Sequence, residues 1–136
     1  MRTNERGMVA VELPLALGLL LLPLALLVIT LPTWPERQTM ARAAANEAAR
    51  TVALADSWDE GMAAAVEAVN RAATNEGIDA QDVSLSVDGS LERRATVTVH
   101  VRVRMPALNI PGLTTISAWS WTASHSERVD DYRSLP

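Results

Sequence analysis

The sequence predicts an α+β fold: an N-terminal transmembrane helix, then two helices packed on a three-stranded antiparallel sheet. Three observations carry this. Met8 to Leu31 is an almost unbroken apolar stretch. From Glu36 to Gly77 apolar residues recur at helical spacing. From Asp82 onward the period falls to two, as in a half-buried strand.

The apolar stretch comes first. Glu12 is its only charge. At about 1.5 Å per residue it spans roughly 36 Å, against a bilayer core of about 30 Å. A chain of 136 residues has no core large enough to enclose such a helix on all faces. Pro14, Gly18 and Pro23 lie inside it, and lipid tolerates them better than water does. Pro23 is expected to kink the helix or loosen its hydrogen bonding. Pro32 and Pro35 mark the exit, with Trp34 between them at the expected interface. Arg2 and Arg6 precede the stretch, while Arg37 beyond it is balanced by Glu36. The positive-inside rule therefore puts the N-terminus in the cytoplasm and everything after Thr33 outside. A cleaved secretory signal fits poorly, because the apolar core is too long. The best small-residue site, Ala43-Ala44-Ala45, also lies far downstream.

The order Arg6-Gly7-Met8-Val9-Ala10-Val11-Glu12 gives this segment its chemistry. Gly7 ends a polar leader, and Glu12 is the fifth residue after it. A glycine lets extended backbone enter a tight protease site. A carboxylate near the centre of a membrane helix costs on the order of 2.5–3.5 kcal/mol, and less near an end. Such a group usually has a partner, unless it snorkels to the interface.

Together, Gly7, the spacing to Glu12 and the apolar helix resemble a prepilin leader of the kind cut after Gly by prepilin peptidase. The Arg-Gly…Val-Glu pattern followed by Leu13 and Pro14 is similar to the TadE-like family, minor pseudopilins of the Flp-type (tight adherence) pilus. The resemblance covers roughly residues 6–50. The run Glu127-Arg-Val-Asp-Asp-Tyr-Arg133 also resembles the ends of such chains, more weakly. It implies processing between Gly7 and Met8, and pairing of Glu12 with the new α-amino group of a neighbouring subunit. Such a pair would remove two lone charges from lipid and set the axial register of packed helices. The implied partners are prepilin peptidase, other pseudopilins and pilins, and the Tad inner-membrane platform with its ATPase. Subunits of the main shaft are often much shorter, so the sizeable outer region favours a minor or adaptor role.

The outer region starts with a helix from Glu36 to Ala55. Met40, Ala44, Ala48 and Val52 line one face, and Arg42, Asn46 and Arg50 mark the polar one. Glu47 can pair with Arg50. Its small-residue face can pack on its own sheet or in a bundle between subunits. Ser57-Trp58-Asp59-Glu60 is a capping box that opens a second helix. Trp58, Met62, Val66 and Val69 are expected along its apolar side, with Glu67 and Arg71 as an i,i+4 pair. Gly77 should stop it, with Ile78 making the contact after the stop.

The first strand alternates Val83, Leu85 and Val87 with Ser84 and Ser86, and Asp88-Gly89 signals a turn. In the second, Ala95, Val97, Val99, Val101 and Val103 face one way and Thr96, Thr98, His100, Arg102 and Arg104 the other. Pro106 and Pro111-Gly112 suggest a loop. Residues 114–123 form the expected third strand, with Trp119 and Trp121 on one side. The chain thus divides into a leader (1–7), a transmembrane helix (8–31), a Pro-rich hinge (32–35), an extracytoplasmic α+β domain (36–125) and a polar C-terminal tail (126–136).

Composition narrows the function classes. The net charge of −4, with no basic patch interleaved with aromatics, argues against nucleic acid. Without Cys there are no disulfides, thiolate zinc sites, Cys nucleophile or acylated lipoprotein Cys. All the basic residues are Arg, and Ala is abundant, a bias of GC-rich bacterial genomes. His100 and His125 lack metal-ligand spacing. Asp56, Asp59 and Glu60 cluster at a helix start, where they complement the dipole. There is no phosphate-binding glycine loop, nucleophile elbow or triad spacing. The expectation is therefore a non-enzymatic subunit with no cofactor, metal or small-molecule substrate, whose non-protein partner is membrane lipid. Arg102 and Arg104 are candidate contacts for an acidic neighbour, and Trp119 and Trp121 are candidate contacts if their side of the sheet is exposed. The rival readings are an anchored extracytoplasmic binding module unrelated to pili, and an enzyme with an unrecognised cleft.

Overall fold

In the computed structural model residues 5–30, 33–110 and 114–130 are described. Helix α1 spans Glu5–Thr30 and runs through Pro14 and Pro23 as one element. Its 26 residues rise about 39 Å. It is long and apolar enough to cross a membrane, and none of its most apolar window is buried in the protein. From Leu13 to Leu24 every leucine is exposed. The helix starts two residues ahead of Gly7, inside the segment expected as leader; residues 1–4 lie outside the described ones.

Helix α2 spans Thr33–Leu54. It takes in Thr33, Trp34 and Pro35, which the sequence suggested were part of a hinge; Pro32 lies outside the described residues. Pro35 fits in the first turn because the N–H it lacks would have had no intrahelical partner. The expected stripe of Met40, Ala44, Ala48 and Val52 is buried, and a second stripe of Ala41, Ala45, Ala49 and Ala53 is buried beside it. The paired stripes exist because α2 is central: it packs on helix α3 (Trp58–Asn75) and also on the sheet.

Helix α3 begins and ends as its local chemistry dictates. Ser57 is extended and its side chain accepts from the Glu60 N–H at 3.3 Å. At the other end Gly77 has φ +64°, the Gly77 N–H donates to Thr74 O at 3.1 Å, and the Ile78 N–H donates to Ala73 O at 2.8 Å. This is a Schellman stop, with Ile78 buried behind it. The packed face agrees with expectation at Val69, which is buried, and at Trp58, which packs against the core, and differs elsewhere. It consists of Gly61, Ala65, Ala68, Val69 and Ala73, while Val66 is 43% exposed and Trp58 and Met62 are half-buried. The small residues win the interface because α2 and α3 approach closely. A Cβ at Gly61 would stand 3.1 Å from Ala55 Cβ and 3.2 Å from Val52 Cα.

After a single 3-10 turn at Ala80–Asp82 come strands β1 (Val83–Asp88), β2 (Thr96–Met105), β3 (Leu108–Ile110), β4 (Thr114–Ile116) and β5 (Trp119–Arg128). The main sheet has the order β1-β2-β5 and is antiparallel throughout. Val97, Val99, Val101, Val103 and Met105 on β2 are fully buried against the helices. Each such valine contributes about 1.5–3 kcal/mol over an exposed one, which makes β2 the centre of the fold. Gly89, with φ +119°, begins the β1–β2 connection; a Cβ there would collide with the Thr96 carbonyl oxygen.

Two boundaries are corrected. The third strand was expected over 114–123. Instead, Thr114–Ile116 pairs with Leu108–Ile110 in a separate two-stranded ribbon, and β5 starts at Trp119. Pro111 and Gly112 lie outside the described residues. The polar tail was expected from Ser126, but β5 continues to Arg128, and Val129 is buried with its N–H donating to Ala95 O at 2.9 Å. Alternation persists through this run, and Val129 supplies the apolar side chain that closes the end of the sheet. Residues 131–136 lie outside the described ones.

Candidate functional site

Three regions could carry function. The first is the start of α1. Gly7 and Met8 lie in its first two turns. The first turn of a helix has no N–H bonds of its own to break, so this is where backbone opens to a protease at least cost. Glu12 is exposed, and among the described residues it has no hydrogen-bond or ion-pair partner. It is the only charged residue between Met8 and Thr30.

The second region is where the domain meets the end of α1. Trp34 on α2 and Trp119 on β5 meet edge to face, with ring centroids 6.1 Å apart and planes at 89°. Beside them Arg37 donates from Nη1 to the Arg104 carbonyl at 2.5 Å and lies 3.4 Å from Asp82 Oδ2. Both partners of that ion pair are about four-fifths covered. One arginine thus ties the start of α2 to the end of β2 and to the 3-10 turn. Sequence reasoning had treated Arg37 only as a charge cancelled by Glu36. Its partners are 45 and 67 residues away, a distance over which local patterns give no signal.

The sheet register settles where Trp119 and Trp121 point. Trp119 sits opposite Met105, and Trp121 opposite Val103, both buried on the helix side. Directly opposed residues share a face, so the two tryptophans face the helices and not the open side. Trp121 packs on the core, with the Arg42 guanidinium carbon 5.0 Å above its ring. Trp119, further out, remains 39% exposed.

The third region is the open face of the sheet. Arg102 and Arg104 are exposed there, and neither side chain has an ion-pair partner among the described residues. His100 shares the face: its Nδ1 is 2.6 Å from Ser124 Oγ and its Nε2 is 3.2 Å from Asp88 Oδ2. Thr98 and Ser126 hydroxyls pair at 2.9 Å. Arg128, opposite Thr96, lies at one end of the face, and hydroxyls are spread over it from Ser84 and Ser86 on β1 to Ser120, Thr122 and Ser124 on β5. This surface carries exposed arginines among hydrogen-bonding groups. Glu47, expected beside Arg50, instead reaches Arg71 at 4.0 Å, while the expected Glu67–Arg71 pair stands at 3.8 Å, exposed.

An open crevice of about 580 Å³ runs between α2 and the far end of β5, where His125, Glu127 and Arg50 come together. His125 Nε2 is 3.6 Å from Glu127 Oε2. Among the described residues its lining contains no Ser, Thr or Cys to act as a nucleophile. No cluster of metal-ligating side chains occurs among the described residues. Part of its lining, Glu127 to Asp130, comes from the end of β5 and the two residues after it, in the segment expected as a tail. No protein-family model matches the chain, and no curated protein or solved structure is significantly similar to it.

Proposed function

We propose that this chain is a TadE-like minor pseudopilin, a non-enzymatic assembly subunit of a Flp-type pilus or related secretion machine. The observation that carries the reading is Glu12: an exposed carboxylate, without a partner among the described residues, five positions beyond Gly7 on a helix apolar enough to span a bilayer. Within one subunit that charge is costly in lipid. It becomes favourable when a neighbour supplies a cation, and cleavage after Gly7 would create one at the Met8 α-amino group. The N-terminus would lie in the cytoplasm and the α+β domain outside. α1 would wait in the membrane until drawn onto a pilus base or tip. Prepilin peptidase would open the first turn of α1 and cut between Gly7 and Met8. The domain would then supply lateral contacts to other pseudopilins and to the inner-membrane platform through Arg102, Arg104 and the open face.

Intact-mass measurement and N-terminal sequencing of the membrane-extracted protein test this. A mature chain starting at Met8 is expected in cells with active prepilin peptidase. A chain that still starts at Met1 in those cells would overturn the assignment. The competing reading is an anchored binding module taking its ligand in the α2–β5 crevice, which is the observation in its favour. It predicts no cut at Gly7 and indifference to replacement of Glu12.

A further inference from the structure

The β3–β4 ribbon has no place in the main sheet, and its position is informative. β3 packs beside α1. Among the described leucines of α1, only Leu26 and Leu27 are half-buried; the rest are exposed. Leu26 lies about 6 Å of helix rise before Thr30, where the apolar run of α1 ends. A ribbon that approaches these last turns therefore reaches below the level at which the anchor leaves lipid. Its composition agrees. Between Arg104 and Glu127 there is no Asp, Glu, Lys or Arg. Ile116 is 39% exposed, as is Trp119 beside it, although the protein has a core in which such residues could have been covered.

We propose that the β3–β4 ribbon, together with Trp34 and Trp119, is a second membrane-contact element that seats in the outer lipid headgroup region beside α1. The proposal rests on the reading of α1 as a membrane anchor. A two-stranded ribbon has unpaired backbone groups along both outer edges, so it cannot enter the hydrocarbon core. The headgroup region still hydrates those edges while accepting apolar side chains to a depth of about 5–10 Å. The polar side chains of the ribbon suit that depth, since the Thr115 hydroxyl donates to Asn109 Oδ1 at 3.4 Å across the strands. Tryptophan rings are enriched at this level of a bilayer, and the Trp34–Trp119 pair sits where α2 begins. Arg37, held by Asp82 and the Arg104 carbonyl, locks the same end of the domain. The domain would thus stand on the membrane at two points, which fixes its rotation about α1 and the direction in which Arg102 and Arg104 face.

The absence of cysteine makes the test direct, because a single introduced Cys carries the only label. The full chain is placed in nanodiscs of phosphatidylethanolamine and phosphatidylglycerol, with a nitroxide on Ile116→Cys, Leu20→Cys or Ala63→Cys. Accessibility to oxygen and to a water-soluble nickel chelate is then compared. Position 116 is expected to favour oxygen, position 20 to do so more strongly, and position 63, at the opposite end of the domain, to favour the chelate. As a second measurement, intrinsic tryptophan emission should be quenched by brominated lipid, and the Trp34→Phe/Trp119→Phe double variant should lose that quenching. If position 20 reads as lipid while position 116 reads as water and quenching is absent, the ribbon proposal fails and the anchor stands. If position 20 also reads as water, the anchor reading itself fails. Shielding of position 116 only after assembly with other subunits would assign the ribbon to a protein neighbour and overturn the lipid proposal.

Discussion

Helices α1 and α2 follow one another in the chain and are both built mainly from simple apolar residues, yet they use them in opposite ways. On α1 the leucines from Leu13 to Leu24 are exposed, Leu19 at 78% and Leu15 at 73%. On α2 the side chains Ala41, Ala45, Ala48 and Ala49 are completely covered. An exposed leucine forgoes about 1.5–3 kcal/mol of burial, a loss that lipid removes and water does not. Alanine offers little area of its own but lets backbones approach closely, which suits a helix wedged between α3 and a sheet. The leucines of α1 leave a helix long and apolar enough to cross a membrane, whereas the alanines of α2 serve packing within the protein.

Substitutions sharpen or break this contrast. The largest effect is expected at Met105, fully buried at the end of β2. Met105→Ala should destabilise the domain by about 2–5 kcal/mol, read as a lowered urea midpoint in detergent. Leu20→Ala on α1 should leave that midpoint unchanged, and equal losses would break the contrast. Next is Gly61→Val. A Cβ at Gly61 would stand closer to Val52 Cα and Ala55 Cβ than ordinary van der Waals contact allows, so overpacking should cost about 1–3 kcal/mol. A neutral result would show that α3 can move away from α2 freely. The smallest is Ser57→Ala, expected near 0.5–1 kcal/mol, about the low end for a cap because the Glu60 N–H is 3.3 Å away. Circular dichroism melts would resolve it.

Elements governed by local chemistry were legible in the sequence. The capping box at Ser57, the stop at Gly77 and the alternation of β2 each depend on residues within one turn or one strand. The apolar run of α1 was legible for the same reason, being continuous. What escaped depended on distant partners. On α3 the sequence places Val69 and Trp58 correctly but not Val66, because a bulky valine looks like a core residue. The interface instead selected Gly61 and Ala65, whose value appears only when α2 lies against them. The side on which Trp119 and Trp121 lie required the register with Met105 and Val103. The β3–β4 ribbon is hidden in the sequence by Pro106 and Pro111-Gly112, which read as loop, and only Leu108 and Ile110 on β3 alternate. Glu12 and Gly7 are singled out in the sequence by spacing and by resemblance to a prepilin leader, whereas Arg37 and the His125–Glu127 crevice needed three dimensions.

The account stands or falls on the role of the acid in α1. Membrane insertion and recovery in sheared pili should be compared for the wild-type chain and Glu12→Ala. The account predicts that Glu12→Ala inserts and extracts from the membrane as the parent does but is lost from the pilus fraction. Recovery of Glu12→Ala in pili at the parental level would contradict it.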